Sequence, residues 1–250
     1  MGAADDWAPP SVDTRRANGA RVYDYWLGGS HNFLADQDLG RLIAAVEPNV
    51  RAIARANRAF LGRAVRFLAG AGIRQFLDIG SGIPTEGNVH EVAQQADPGA
   101  RVVYADIDPV AIAHSRAILA GNASAAVIDG DVRDPEGVLG SPVTRGLLDF
   151  SQPVGLLLVA VLHFLGDAED PARSVAQLRD ALAPGSYVVL AHATNESRPE
   201  LTEAAEKVYQ SGVPSQGRTR SRAEIMAFFA GFDLVQPGLV YLPQWRPDAP

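Results

Sequence analysis

The feature that most constrains this chain begins after Gly72, where short apolar runs start to alternate with helical stretches. The runs are Gln75–Ile79, Arg101–Asp106, Ala125–Asp129, Val154–Val161 and Ser186–His192. Their length and content are those of buried strands. Between them Asp108-Pro109, Asp134-Pro135 and Asp170-Pro171 mark helix starts. In each pair the carboxylate is an N-cap acceptor, and proline suits the first helical turn, where its missing N–H loses no partner. Strands alternating with helices require crossover connections, and hence a mainly parallel sheet with helices on its faces.

Two further segments frame this core. Upstream, Leu39, Leu42, Ile43 and Val46 have helical spacing and stop at Pro48. A second periodic stretch contains Val50, Ile53, Ala54, Phe60, Leu61, Val65 and Leu68, and ends at Gly70 and Gly72. Downstream, Ser221 and Glu224 form a capping-box start for a last helix. Phe232–Val235 and Leu239–Leu242 then read as two final strands, with Gln236-Pro237-Gly238 as a hairpin turn. The expected architecture is α/β: a doubly wound, mainly parallel seven-stranded sheet with an antiparallel C-terminal edge. Residues 1–70 form a helical N-terminal cap on a core at 71–245, within one domain spanning residues 1–250.

With 250 residues, 47% of them hydrophobic, the chain buries a sizeable core without cross-links. It has no cysteine, which excludes a disulfide framework, thiolate metal sites and a cysteine nucleophile. No His/Asp/Glu spacing reads as a metal site. A net charge of −7 argues against a broad duplex-DNA surface. The longest apolar stretch, Val154–Leu165, is too short to span a bilayer. Met1–Trp7 lacks the basic-then-apolar pattern of a signal peptide. The expectation is a soluble, cytoplasmic protein with neither nucleic acid nor membrane as partner.

The chemistry is carried by strand ends. Phe76-Leu77-Asp78-Ile79-Gly80-Ser81-Gly82 places an acidic residue on a strand and Gly-x-Gly in the turn that follows. Those glycines let the backbone approach a ligand closely. The third glycine of a dinucleotide fingerprint is missing, since Pro84-Thr85 stands where it belongs. That counts against a pyrophosphate and a nicotinamide cofactor. Asp106 ends the second strand, where a carboxylate accepts from both hydroxyls of a ribose. Asp129-Gly130-Asp131-Val132 ends the third, where an acidic group can accept from an adenine amino group. This ordered set points to an adenosyl ligand without a diphosphate.

Across roughly residues 70–245 the sequence resembles the S-adenosylmethionine-dependent methyltransferases of Rossmann-like fold. The three strand-end motifs match in order, and Leu182-Ala183-Pro184-Gly185-Ser186-Tyr187 resembles the family's turn into strand five. A narrower resemblance, to the largely actinobacterial DUF574 subfamily, rests on three further runs. They are the stretch from Arg21 to Phe33, Val161-Leu162-His163-Phe164, and Pro237-Gly238-Leu239-Val240. The resemblance implies S-adenosyl-L-methionine as cofactor and methyl transfer to an oxygen or nitrogen of a small-molecule acceptor. By it, Asp78 and the backbone at Gly80, Ser81 and Gly82 hold the methionine part, and Asp106 binds the ribose. Ile107 packs on adenine, Asp131 and the Val132 amide read the adenine edge, and the Ala160 backbone faces the ligand's amino group. The same fold also runs cyclisation of this cofactor with release of methylthioadenosine, or binds it without turnover, and both remain alternatives.

Other residues have two readings each. The run Tyr23-Asp24-Tyr25-Trp26-Leu27-Gly28-Gly29 is either packed across the sheet or a lid hinged at its glycines. Tyr23, Arg21 or Asn32 then meets the cofactor's carboxylate. His163, just beyond the fourth strand, is a general base or a structurally bonded histidine, and His192 has the same pair of readings. Tyr209 and Trp245 line an acceptor pocket or belong to the core. Arg218, Arg220 and Arg222 read as solvated surface before a helix.

Overall fold

The computed structural model describes residues 9–10, 12–84, 87–213 and 217–248. The readings of Met1–Trp7 as an unsignalled start, and of Thr85 in the glycine-turn departure, lie outside these residues. Five strands form one parallel sheet: β1 (Gln75–Ile79), β2 (Arg101–Asp106), β3 (Ala125–Asp129), β4 (Gly155–Val159) and β5 (Tyr187–Ala191). Their order is β3-β2-β1-β4-β5. The chain therefore winds outward from β1 in one direction and then returns to β4 on the other side. That reversal opens a crevice beyond the carboxyl ends of β1 and β4, where ligands bind in sheets of this kind. Register places Asp78 opposite Tyr104 and Leu157, and Asp106 opposite Asp129.

The period-two pleat divides the core. Leu77, Ile79, Val103, Ala105, Leu156 and Leu158 pack on one face. Phe76, Val102, Tyr104, Leu157 and Val159 face the other, against Phe60, Leu61 and Leu68. The latter three belong to α3 (Val50–Gly70), the longest of three helices that precede the sheet, after α1 (Gly19–Leu27) and α2 (Leu34–Val46). Between the strands run α4 (Val89–Ala96), α5 (Pro109–Ile118), α6 (Pro135–Gly140), α7 (Pro142–Leu147) and α8 (Pro171–Asp180). Three of these start as the Asp-Pro pairs predict. Asp108 accepts from the Val110 amide at 2.7 Å, Asp134 from Gly137 at 3.0 Å and Asp170 from Arg173 at 3.2 Å. After β5 come α9 (Pro199–Gly212) and α10 (Arg222–Ala227). The Ser221–Glu224 capping box forms, with the Ser221 amide donating to Glu224 Oε2 at 2.8 Å. Among the described residues no helix is long and apolar enough to cross a membrane.

Among the described residues the expected seven strands and antiparallel edge are not present; the sheet has five strands and ends at β5. Residues 232–242 satisfy their backbone through local turns instead. The Phe232 amide donates to Phe229 O, Gly238 to Val235 O and Gln244 to Tyr241 O. Arg63 of α3 also donates to the carbonyls of Leu242 and Trp245, at 2.7 and 3.0 Å. Acceptors that a ladder would use are thus bonded to a guanidinium. Pro237 and Pro243 add two positions that cannot donate to a neighbouring strand.

Candidate functional site

A cavity of about 1810 Å³ lies between the carboxyl edge of the sheet and the helices α1, α3 and α9, and continues along the open edge of β5. Tyr23, Asp78, Gly80, Ser81, Gly82, Asp106, Ile107, Asp131, Val132, Ala160 and His163 all line it. The sequence spreads these residues over 140 positions; parallel winding gathers them at one edge.

The β1 turn is built for close approach. Gly80 and Gly82 have φ of +73° and +68°, torsions that an L side chain adopts only at a cost. The Gly80 amide donates to Ala105 O at 2.8 Å, which fixes the turn onto the end of β2. Ser81 Oγ is buried with no hydrogen-bond partner. Buried hydroxyls are normally satisfied, so an orphan here fits a ligand atom. Ala160, immediately past β4, has φ of +60°; such strain in a non-glycine residue concentrates at functional sites.

Two carboxylates face this turn from inside the protein. Burial pushes Asp78 up to about 7, raised further by Asp106 and restrained by the positive charge of Arg58. Burial likewise lifts Asp106 to about 6, although it accepts from the Gly82 amide at 2.7 Å and the Asp108 amide at 2.8 Å. Ile107, next in sequence, is 53% exposed despite its apolar side chain, and offers a flat contact at the cavity wall. Asp131 is differently engaged. Partial burial works against its charge, yet Arg133 grips both its oxygens, at 2.5 to 2.9 Å, and holds it below the ordinary carboxylate range. Its acceptor capacity toward a ligand is accordingly shared with Arg133, which also bonds Glu169 at 2.9 Å.

On the cap side, the Tyr23 hydroxyl donates to Ala54 O at 2.9 Å and accepts from Asn57 Nδ2 at 3.0 Å. Arg21 is buried, and its Nε lies 3.5 Å from both Asp36 and Asp108, so its charge is committed to these carboxylates. Asn32 donates to Asp24 at 2.8 Å and supports the loop after α1. The aromatic run from Tyr23 is helical up to Leu27, and Gly28 caps it in the left-handed conformation.

Beyond β4, the 3₁₀ turn Leu162–Phe164 carries His163 to the cavity. Burial, with the charges of His192 and Arg220, drives His163 down to about 3. Its Nδ1 is buried without a partner. His192 is engaged at both nitrogens, with Ala193 O at 2.7 Å and Arg220 at 2.9 Å. Tyr209 and Trp245 both line the cavity; Tyr209 stacks on Phe164 at 5.7 Å, and Trp245 packs edge-on against Phe60 and Phe67.

Sequence reasoning missed three residues here. Arg58 and Asn57 reach the cavity from α3. Asn57 occupies a buried position among Val50, Ala54, Leu61 and Leu68, and a polar residue on an apolar stripe is the signal that marks it. Arg220 is the third. Read as solvated surface with Arg218 and Arg222, it is 2% exposed, because its guanidinium is enclosed by the carbonyls of Leu162 and Leu165, the His192 ring and Asp167.

Comparison with known proteins agrees with this geometry. A protein from Thermobifida fusca, described provisionally as a methyltransferase, superposes with a TM-score of 0.93. It is 45% identical, and the match covers 98% of this chain and 91% of that one. A DUF574 family protein from Streptomyces avermitilis gives a TM-score of 0.92 at 40% identity, over 95% and 91% of the two chains. No curated protein matches. The sequence model of one family, described as S-adenosyl methyltransferase, matches residues 5–250. With a glycine turn, buried strand-end carboxylates and near-complete family coverage in agreement, this chain belongs to the S-adenosyl methyltransferase family and uses S-adenosyl-L-methionine as its cofactor.

Proposed function

We propose that this chain transfers a methyl group to an oxygen or nitrogen of a small molecule, with the cofactor seated at the ends of β1, β2 and β3 and the acceptor entering on the His163 side. The observation that carries the reading is the meeting, at one crevice, of Asp78, Asp106 and the unpartnered Ser81 hydroxyl. When bound, the cofactor supplies an electrophilic methyl group on a sulfonium. The protein's own contributions are electrostatic and positional. Asp78 and the turn from Gly80 to Gly82 hold the methionine part, with Tyr23 at its cap side. Asp106 accepts from the ribose hydroxyls, Ile107 covers one face of the adenine, and Asp131 with the Val132 amide reads its edge. The Ala160 backbone meets the ligand's amino group. The whole chain acts as one domain, with the helices up to residue 70 as its cap. Holding two reactants in line can supply on the order of 7–11 kcal/mol of the barrier, so the site needs little further chemistry.

Calorimetric titration with S-adenosyl-L-methionine tests the seat. Asp106→Ala is expected to weaken binding by about 1.5–3 kcal/mol through loss of charge-assisted hydrogen bonds. Hydroxyl donors and a cationic ligand favour ionised Asp106 and Asp78, whose empty-site values are about 6 and 7. Binding therefore releases protons, and affinity should climb as pH rises from 5 to 8. Wild-type affinity in the Asp106 variant, or affinity that falls as pH rises, would remove these carboxylates from the seat.

His163 is neutral throughout the physiological range and is a weak base at about 3. It suits late acceptance of a proton from the attacking atom, or simply orientation of that atom by a hydrogen bond. His163→Ala should leave cofactor affinity within twofold and lower S-adenosylhomocysteine release by about 10²-fold with an acceptor found by screening. A large loss of cofactor affinity would instead make His163 part of the seat.

A further inference from the structure

We infer that Arg220 is a positioning residue for the acceptor side of the site: it clamps the turn that carries His163 and fixes the tautomer of His192, leaving His163 as the imidazole with a free nitrogen. The inference rests on the proposed placement of the acceptor beside His163. Its geometry is independent of that placement.

Arg220 brings three segments together. Nη1 donates to Leu162 O at 3.1 Å and Nη2 to Leu165 O at 3.0 Å, so both ends of the His163 turn are held by one guanidinium. Nη1 also meets His192 Nε2 at 2.9 Å, just past β5, and Nη2 reaches Asp167 at 3.1 Å. The Arg220 main chain joins the same place, its amide donating to Ala193 O at 3.2 Å. The fit is close along the segment, since a Cβ at Gly217 would collide with His163 O and lie 2.5 Å from Phe164 Cα. The guanidinium rests over the Phe228 ring at 5.5 Å, which is a planar contact an ammonium does not reproduce.

The chemistry follows from donor counting. Arginine has only N–H donors, so His192 Nε2 must accept, and its proton sits on Nδ1, which donates to Ala193 O. Both His192 nitrogens are thereby used. His163 Nδ1 has no partner. The charged groups acting on this pair are Arg220 and Arg218, with Glu224 opposing at His192. Asp167, the one carboxylate bonded to Arg220, is 67% exposed and shared with Arg218. Burial is the main cause that keeps both imidazoles neutral, and a cation held mainly by carbonyls adds to it.

The test compares the full-length wild type with Arg220→Met and Arg220→Lys by ¹⁵N imidazole spectroscopy at neutral pH, with S-adenosylhomocysteine titrated calorimetrically. Wild type should show His192 protonated on Nδ1. The methionine variant should lose that single tautomer, and its His192 titration should move up by roughly one pH unit as the like charge disappears. Lysine keeps charge without the fork, so it should hold the titration low while still mixing tautomers. It also serves where the methionine variant fails to fold. Affinity for S-adenosylhomocysteine should stay within twofold, because the clamp lies outside the seat. Unchanged His192 tautomer and titration in both folded variants overturns the inference. If these shift as expected while His163→Ala keeps full turnover, the clamp stands and the acceptor placement is wrong.

Discussion

Arg21→Met is expected to lower the unfolding free energy by about 3–5 kcal/mol, the usual cost of stranding buried charge. Two carboxylates depend on this guanidinium, Asp36 and Asp108, and both are buried. Asp36 accepts the amides of Asn18 and Phe33, at 2.9 and 2.8 Å, and so joins the starts of α1 and α2. Asp108 opens α5, two residues beyond the carboxylate assigned to the ribose. One substitution therefore loosens the starts of α1 and α2 and the loop after β2 together. The loss should depend on pH with a definite sign. Burial already raises both carboxylates; Arg21 is the foremost restraint on Asp108, and at Asp36 it acts behind the amides of Phe33 and Asn18. Without it their folded values rise further above the unfolded value of about 3.9. Within that window the folded state binds more protons than the unfolded one, so stability falls as pH rises. Denaturant unfolding at pH 5 and pH 7.5 should show a larger deficit at the higher pH. A deficit under about 1 kcal/mol at both would mean that the two carboxylates are satisfied by their amide donors alone.

The same residues show what a sequence can and cannot announce. β1, β2 and β3 were legible to the residue because each apolar run ends where the chain must leave a buried layer. Asp106 and Asp129 both mark such exits, and the Asp-Pro pairs mark the returns. That the three strand ends line one cavity was legible for the same reason, since parallel winding places successive carboxyl ends side by side. The segment at 232–242 misled because its apolar content matches a strand, while its hydrogen-bond partners are set by Arg63, far away in sequence. Arg218, Arg220 and Arg222 are chemically alike and alternate along the chain, yet only Arg220 turns inward, to the carbonyls of Leu162 and Leu165. Arg133 stands two positions from Asp131, but nothing local shows that it takes both oxygens. What the sequence withholds in each case is which polar group a charged side chain pairs with.

Gly80→Ala should be the most damaging small substitution in the cofactor turn, and Gly82→Ala supplies its control. Both positions are left-handed, at +73° and +68°, so each alanine costs about 1–2 kcal/mol in backbone energy. Around Gly82 a Cβ meets nothing within 4 Å among the described residues, which leaves the torsional cost as the expected effect. At Gly80 the same atom collides with Val161 Cγ2 and falls 2.6 Å from Val161 Cβ. Val161 is itself core, 8% exposed, and lies between the strained Ala160 and the turn that bears His163. It has no space to withdraw into, so overpacking adds about 1–3 kcal/mol. Relief by moving the glycine turn instead would break the Gly80–Ala105 bond and displace the Ser81 and Gly82 amides from the contacts proposed for them. Thermal unfolding should therefore separate the two variants by more than the control's own loss, and cofactor affinity should fall furthest in Gly80→Ala. Equal losses in both would mean that the β1 turn tolerates movement and that close contact with Val161 is not what shapes it.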